Sequence, residues 1–95
     1  MAVQCFVALG ANLGDPVATV KAALDALAAL PDARLQAVSS LYRTAPIGLK
    51  HQPDFINAVA VLELDPAVLP APTFLARLFA IETAFGRRRS GPNAP

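Results

Sequence analysis

Ninety-five residues, 55% of them hydrophobic and only 16% charged, amount to one domain with enough apolar side chains for a core and too few charges for a disordered chain. The net charge of +1 hides an asymmetry: Arg87, Arg88 and Arg89 are consecutive while the residues before them are slightly acidic, which argues for a local anion site over general nucleic-acid affinity. No apolar run approaches the roughly 20 residues of a membrane span, Met1 to Cys5 lacks the pattern of a signal peptide, and the single Cys5 reads as a small buried hydrophobe suited to a reducing cytoplasm.

In chain order, Ala2 to Leu9 reads as a strand. Val3, Cys5, Val7 and Leu9 fall on one face, and Ala2, Phe6 and Ala8 make the other nearly as apolar, so the pattern predicts an interior strand covered on both sides. Gly10-Ala11-Asn12-Leu13-Gly14 has turn chemistry. It precedes a helix but lacks the Walker lysine and the dinucleotide glycine spacing, which makes it a weak phosphate cradle. Asp15-Pro16 supplies a capping side chain and a proline at the first helical position. Val17, Val20, Leu24 and Leu27 then share one helical stripe, ended by Pro31-Asp32.

Arg34 to Leu41 is a strand with weaker alternation, and Tyr42 to Asp54, with two prolines and a glycine, reads as loop. Phe55 to Leu64 is the clearest strand. Phe55, Asn57, Val59 and Val61 point one way and Ile56, Ala58, Ala60 and Leu62 the other. Asp65 to Pro72, with three prolines, is a connector. Thr73 to Phe85 is a second helix whose apolar side is Phe74, Leu75, Leu78, Ile81 and Phe85; Gly86 stops it, and Arg87 to Pro95 is loop. Strand, helix, strand, strand, helix is a split βαβ order without its last strand, an α+β architecture with both helices on one sheet and a strand edge left unpaired.

Three places could carry chemistry. Asn57 sits beside Phe55 on one strand face, where an amide's donor and acceptor next to an aromatic ring suit a flat heterocycle. The local pattern by itself favours the plainer alternative, an amide at a strand end that bonds the backbone of a neighbouring loop. Glu82 lies at the edge of the second helix's apolar stripe, facing either a cleft or water. Arg87 and Arg89 alternate in an extended loop and could grip one phosphate chain while Arg88 faces solvent, although a solvated charge cluster is the usual explanation of such a run. His51, the one histidine, lies in a loop beside Gln52 and reads as a surface residue.

Four segments together resemble the 6-hydroxymethyl-7,8-dihydropterin pyrophosphokinase family of folate biosynthesis: Ala8 to Pro16, Ser39 to Gly48, Gln52 to Ala58, and Ile81-Glu82 with Phe85 to Arg89. They occur in order over nearly the whole chain. The resemblance implies a ferredoxin-like fold with an antiparallel sheet. It also implies a cytoplasmic transferase that moves pyrophosphate from ATP to the pterin's hydroxymethyl oxygen with the help of two Mg2+ ions. Thr44 and Ala45 would line the pterin pocket largely through backbone, with Ile47 packing nearby, Phe55 as the aromatic wall and Asn57 on the pterin edge. Glu82 would lie at the ATP side, and Arg87 and Arg89 on the loop that closes over the triphosphate.

The departure from the family is at the end. The resemblance places the two metal-binding aspartates past Pro95, so residues 1–95 are expected to form a single truncated domain, inactive by itself and holding no metal site. The alternative is a ferredoxin-like module that binds a small molecule or self-associates through the unpaired edge without catalysis. RNA binding is disfavoured, because the strands lack exposed aromatic pairs and interleaved basic residues. No membrane or nucleic-acid partner is expected.

Overall fold

A computed structural model describes residues 1–45 and 53–84. The elements are β1 (Val3–Ala11), α1 (Pro16–Ala28), β2 (Ala33–Val38), β3 (Tyr42–Thr44), β4 (Phe55–Leu64) and α2 (Ala71–Ala84). All pairing is antiparallel to β4. β1 takes one of its edges, while β2 and β3 share the other end to end. With β4 inserted between β1 and β2, the β1–α1–β2 unit is the split βαβ expected from the element order. The α+β reading holds.

The pleat of β4 sorts the molecule into two faces. Ile56, Ala58, Ala60, Leu62 and Leu64 are buried, and the helices cover them. Leu27, Ala60 and Leu62 form the centre, with Val7 and Leu9 of β1, Leu35 of β2, Leu24 of α1 and Leu78 and Ile81 of α2 around them. One stripe of α1 supplies Val20 and Leu27 to this layer, as the three- and four-residue spacing requires. Phe74, Leu78 and Ile81 do the same for α2.

The start of α1 follows directly from its sequence. Gly14 adopts a left-handed φ of 63°, which glycine reaches without a steric penalty, and turns the chain into the cap. The Asp15 side chain then accepts from the Ala18 amide at 3.1 Å, and Pro16 needs no donor at the first helical position. Asp15→Ala is expected to remove about 1 kcal/mol of stability, with Asp15→Ser retaining most of it. Equilibrium urea unfolding followed by circular dichroism reads the difference, and an unshifted midpoint for Asp15→Ala would remove the cap from the account.

Elsewhere the chain is pinned at its turns. Asp32 takes a left-handed φ of 65° after α1, and Arg77 of α2 donates to the Pro31 carbonyl at 2.9 Å, tying α2 to that turn. Past β4, Asp65 accepts from the Ala67 amide at 2.9 Å and meets the N-terminal ammonium at 3.4 Å. The Ala67 hydrogen bond, helped by the N-terminal charge, holds the Asp65 carboxyl below its ordinary range.

Four sequence expectations need correcting. β1 is an edge strand of the described sheet, not an interior one, and its Phe6 is 70% exposed. A strand apolar on both faces gives the same pattern whether its second face is covered or open. Second, the predicted loop from Tyr42 contains β3, three residues paired with Phe55 to Asn57. Third, Leu75 lies off the α2 stripe and is 51% exposed, because it sits 100° around the helix from Phe74. Fourth, α2 begins at Ala71 instead of Thr73, taking Pro72 into its first turn, where a missing amide is tolerated.

Candidate functional site

Residues opposite one another in an antiparallel ladder share a face. The face away from the helices can therefore be read off the register: Gln4, Phe6, Ala8 and Gly10 of β1 lie opposite Glu63, Val61, Val59 and Asn57 of β4. Tyr42 and Thr44 of β3 oppose Asn57 and Phe55 on the same side. This open face has three zones. At one end is a polar network, in which Gln4 donates to Gln36 (2.9 Å) and Gln36 and Arg34 donate to Glu63 (3.1 and 3.0 Å). The middle is apolar, with Phe6, Ala8, Val59 and Val61. The far end holds Asn57, Phe55, Thr44 and Tyr42.

The aromatic content of this face differs from the sequence reading. Phe6 and Tyr42 are exposed and Phe55 is half-buried, all on the same side, so exposed aromatic side chains are present after all. Arg34, a basic residue on that face, is paired with Glu63.

The Asn57 end is the most organised part of the face. Asn57 is half-buried, and its Nδ2 donates to Thr44 Oγ1 at 2.7 Å. Thr44 lies diagonally across the β3–β4 ladder, within reach of an amide on the neighbouring strand. On the other side of Asn57 stands Gly10. A methyl group there would come 2.9 Å from Asn57 Oδ1, closer than real contacts allow. Along β1 the open-face side chains shrink from Phe6 to Ala8 to Gly10, so the least side-chain bulk stands beside the amide. A paired donor and acceptor with Phe55 two residues along suits a flat polar ring.

Two further features hold this end in place. Asn12, 3% exposed, donates from Nδ2 to the Pro53 carbonyl at 3.4 Å and clamps the end of β1 to the segment that leads into β4. Ser39 splices β2 to β3. Its amide donates to the Val59 carbonyl, and its Oγ accepts from the Val59 amide, both at 2.8 Å. The edge of β4 is thus satisfied where neither strand reaches it.

The structure brings together Thr44, Phe55 and Asn57 of the expected site, with Ala45 directly after Thr44 and exposed. Glu82 is half-buried in the last turn of α2, in the helical layer on the other side of the sheet from Asn57. Ile47, His51, Arg87 and Arg89 lie outside the described residues. Gly10, Tyr42 and Asn12 belong to this end of the molecule but were not singled out from sequence. For Gly10 the available signal was the falling side-chain size along one face of β1. Among the described residues, no group of three or more His, Cys, Asp or Glu side chains comes together as a metal site. No described helix is long and apolar enough to cross a membrane.

The family model for 7,8-dihydro-6-hydroxymethylpterin-pyrophosphokinase (HPPK) matches residues 6–95. A 2-amino-4-hydroxy-6-hydroxymethyldihydropteridine pyrophosphokinase of Pseudomonas aeruginosa is 46% identical over 86 residues, covering 90% of this chain and 51% of the relative. The protein of the same name from Haemophilus influenzae is 39% identical over 87 residues, covering 92% of this chain and 52% of the relative. One from Pseudomonas putida is 38% identical over 95 residues, covering 97% of this chain and 76% of the relative. The chain therefore spans about half the length of the first two of these relatives. With a family match running almost from end to end, the chain belongs to the 7,8-dihydro-6-hydroxymethylpterin-pyrophosphokinase family.

Proposed function

We propose that these residues form the amino-terminal, pterin-binding portion of a cytoplasmic ATP-dependent pyrophosphokinase of folate biosynthesis. The observation that carries the reading is the Asn57 amide, held by Thr44 beside Phe55 at the end of an open sheet face. A pterin offers a flat ring for Phe55 and a lactam edge for Asn57, with Ala45 and, as the family resemblance implies, Ile47 as further pocket residues. The names of the relatives support the same substrate.

The reaction is displacement at phosphorus. The hydroxymethyl oxygen attacks the β-phosphorus of ATP, the bond from that phosphorus to the oxygen of the α-phosphate breaks, and AMP leaves. Little covalent work falls to the protein, which positions the reactants and offsets charge. In this reading the Asn57 end fixes the ring so that its hydroxymethyl group is directed toward the nucleotide. Glu82 belongs to the ATP side, and Arg87 and Arg89 neutralise the phosphates. Mg2+ would supply further neutralisation when bound. The described carboxylates do not gather into a site for it.

The 95-residue chain, taken as a separate polypeptide, is accordingly expected to bind the pterin without turning it over. Nucleic acid and membrane are not among its partners in this reading. The test is fluorescence titration of the purified chain with 6-hydroxymethylpterin, followed by incubation of the dihydro form with ATP and Mg2+ and chromatographic detection of AMP. Saturable binding of one pterin without AMP release is the expected result. Absence of binding would remove the pterin site, and sustained AMP release would remove the claim of inactivity. A second reading, self-association, draws on the outer edge of β1, which has no strand beside it among the described residues. Sedimentation of the same sample decides it.

A further inference from the structure

The outer backbone of β1 can be assigned residue by residue. Val59, opposite Ala8 in the β1–β4 ladder, turns its amide and carbonyl the other way, to the hydroxyl and amide of Ser39, both at 2.8 Å. Ala8 and Val59 are therefore a non-hydrogen-bonded pair, and the N–H and C=O of Ala8 point outward from the sheet. By the period of two along a strand, those of Phe6 and Gln4 do the same. No described strand lies beside them. Sheets commonly protect such an edge with a charge, a proline or a bulge. Val3–Ala11 holds no charged residue and no proline, and its register with β4 runs unbroken. Phe6, the middle one of the three outward residues, is 70% exposed.

We propose that this edge pairs with the same edge of a second copy, antiparallel about a two-fold axis that passes through Phe6. The proposal deepens the self-association reading above and rests on it. Gln4, Phe6 and Ala8 are symmetric about Phe6, so the strand turned around that residue is its own partner. Gln4 meets Ala8 of the second copy, Phe6 meets Phe6, and each exchanges both backbone hydrogen bonds with its opposite number. Gly10, next in the series, is already engaged, which limits the set to three. A slip by one residue would bring outward groups against inward ones and send every side chain to the wrong face. With the axis perpendicular to the sheet, both open faces lie on one side. The two exposed Phe6 rings cover one another there, and the apolar surface that they share with Val59 and Val61 becomes continuous across the axis. On the helix side Cys5 comes opposite Val7 and Val3 opposite Leu9, so no charge stands in the seam. The seam is about 24 Å long and buries on the order of 1,000 Å2 in total, the low end for a specific interface. A reversible dimer follows, with a dissociation constant in roughly the micromolar range.

Sedimentation velocity of the purified chain from about 5 to 500 µM should show a monomer–dimer equilibrium. Phe6→Lys sets like charges together on the axis and should weaken the dimer at least about a hundredfold. Val68→Lys adds the same charge to an exposed residue between β4 and α2, and should leave the dimer within about twofold of wild type. Both side chains are exposed, so circular dichroism should show the same fold in all three proteins. The register has its own readout. Cys5 and Val7 of opposite copies form a non-hydrogen-bonded pair with Cα atoms about 4.5 Å apart, whereas two residues apart on one strand they are separated by about 6.7 Å. A mixture of isotope-labelled and unlabelled chains should therefore give an intermolecular Hα–Hα NOE between Cys5 and Val7. A chain that stays monomeric at the highest concentration overturns the proposal together with the self-association reading. A dimer that Phe6→Lys leaves intact, or whose intermolecular NOEs join other residue pairs, overturns the proposal alone.

Discussion

Leu62→Ala is expected to cost about 3–4 kcal/mol, a large part of the roughly 5–14 kcal/mol that a chain of this length holds in total. Leu62 is fully buried at the one point where all the main layers meet. It forms one buried cluster with Leu27 of α1 and Ala60, against which Leu78 and Ile81 of α2 and Val7, Leu9 and Leu35 of the flanking strands pack. Truncation leaves a void that two helices and three strands would have to move together to fill. Such collapse is incomplete, so the lost dispersion contacts add to the lost transfer energy. Leu75→Ala is the matched control. It makes the same chemical change on a side chain that is half exposed, and it should shift stability by no more than about 0.5 kcal/mol. Urea unfolding of the two variants side by side tests the face assignment of α2 and the position of the core. Equal midpoints would contradict both.

That pair of leucines also shows where the sequence was legible. In β4 the alternation of Ile56, Ala58, Ala60 and Leu62 against Phe55, Asn57, Val59 and Val61 is a period of two, and the pleat obeys it throughout. Leu75 was not separable in the same way. On a helix rich in alanine and leucine the apolar residues spread past a single stripe, and only packing decides which of Phe74 and Leu75 faces inward. β3 was hidden for a different reason. Tyr42-Arg43-Thr44 is too short to show a period, and its pairing partners begin eleven residues later, at Phe55.

The site was half visible by the same logic. Asn57 and Phe55 share a face by parity alone, so their association could be read from spacing. The sequence left open whether Asn57 bonds a neighbouring backbone or presents its amide to a ligand. Its resolved partner is the Thr44 side chain, a contact across strands that no local pattern encodes. The two-faced apolarity of β1 was visible but ambiguous. Phe6 looked like core, yet it lies on the open face, where the same hydrophobicity lines the approach to the Asn57 end.

Asn57→Ala is expected to weaken 6-hydroxymethylpterin binding by about 2–3 kcal/mol, roughly a hundredfold in Kd. The variant removes the donor and the acceptor together, so a lactam edge brought onto the open face gives up two water contacts and gains none. The fold should tolerate the change. Asn57 is half-buried and its partner Thr44 is exposed, so water replaces the lost bond and the unfolding midpoint should move by less than about 1 kcal/mol. Phe55→Ala provides the contrast. Loss of the ring removes about 1 kcal/mol of stacking from any flat ligand, without regard to the polarity of its edge. Should Asn57→Ala bind the pterin within twofold of wild type, the lactam is read elsewhere, and the open end of the sheet is not the pterin site.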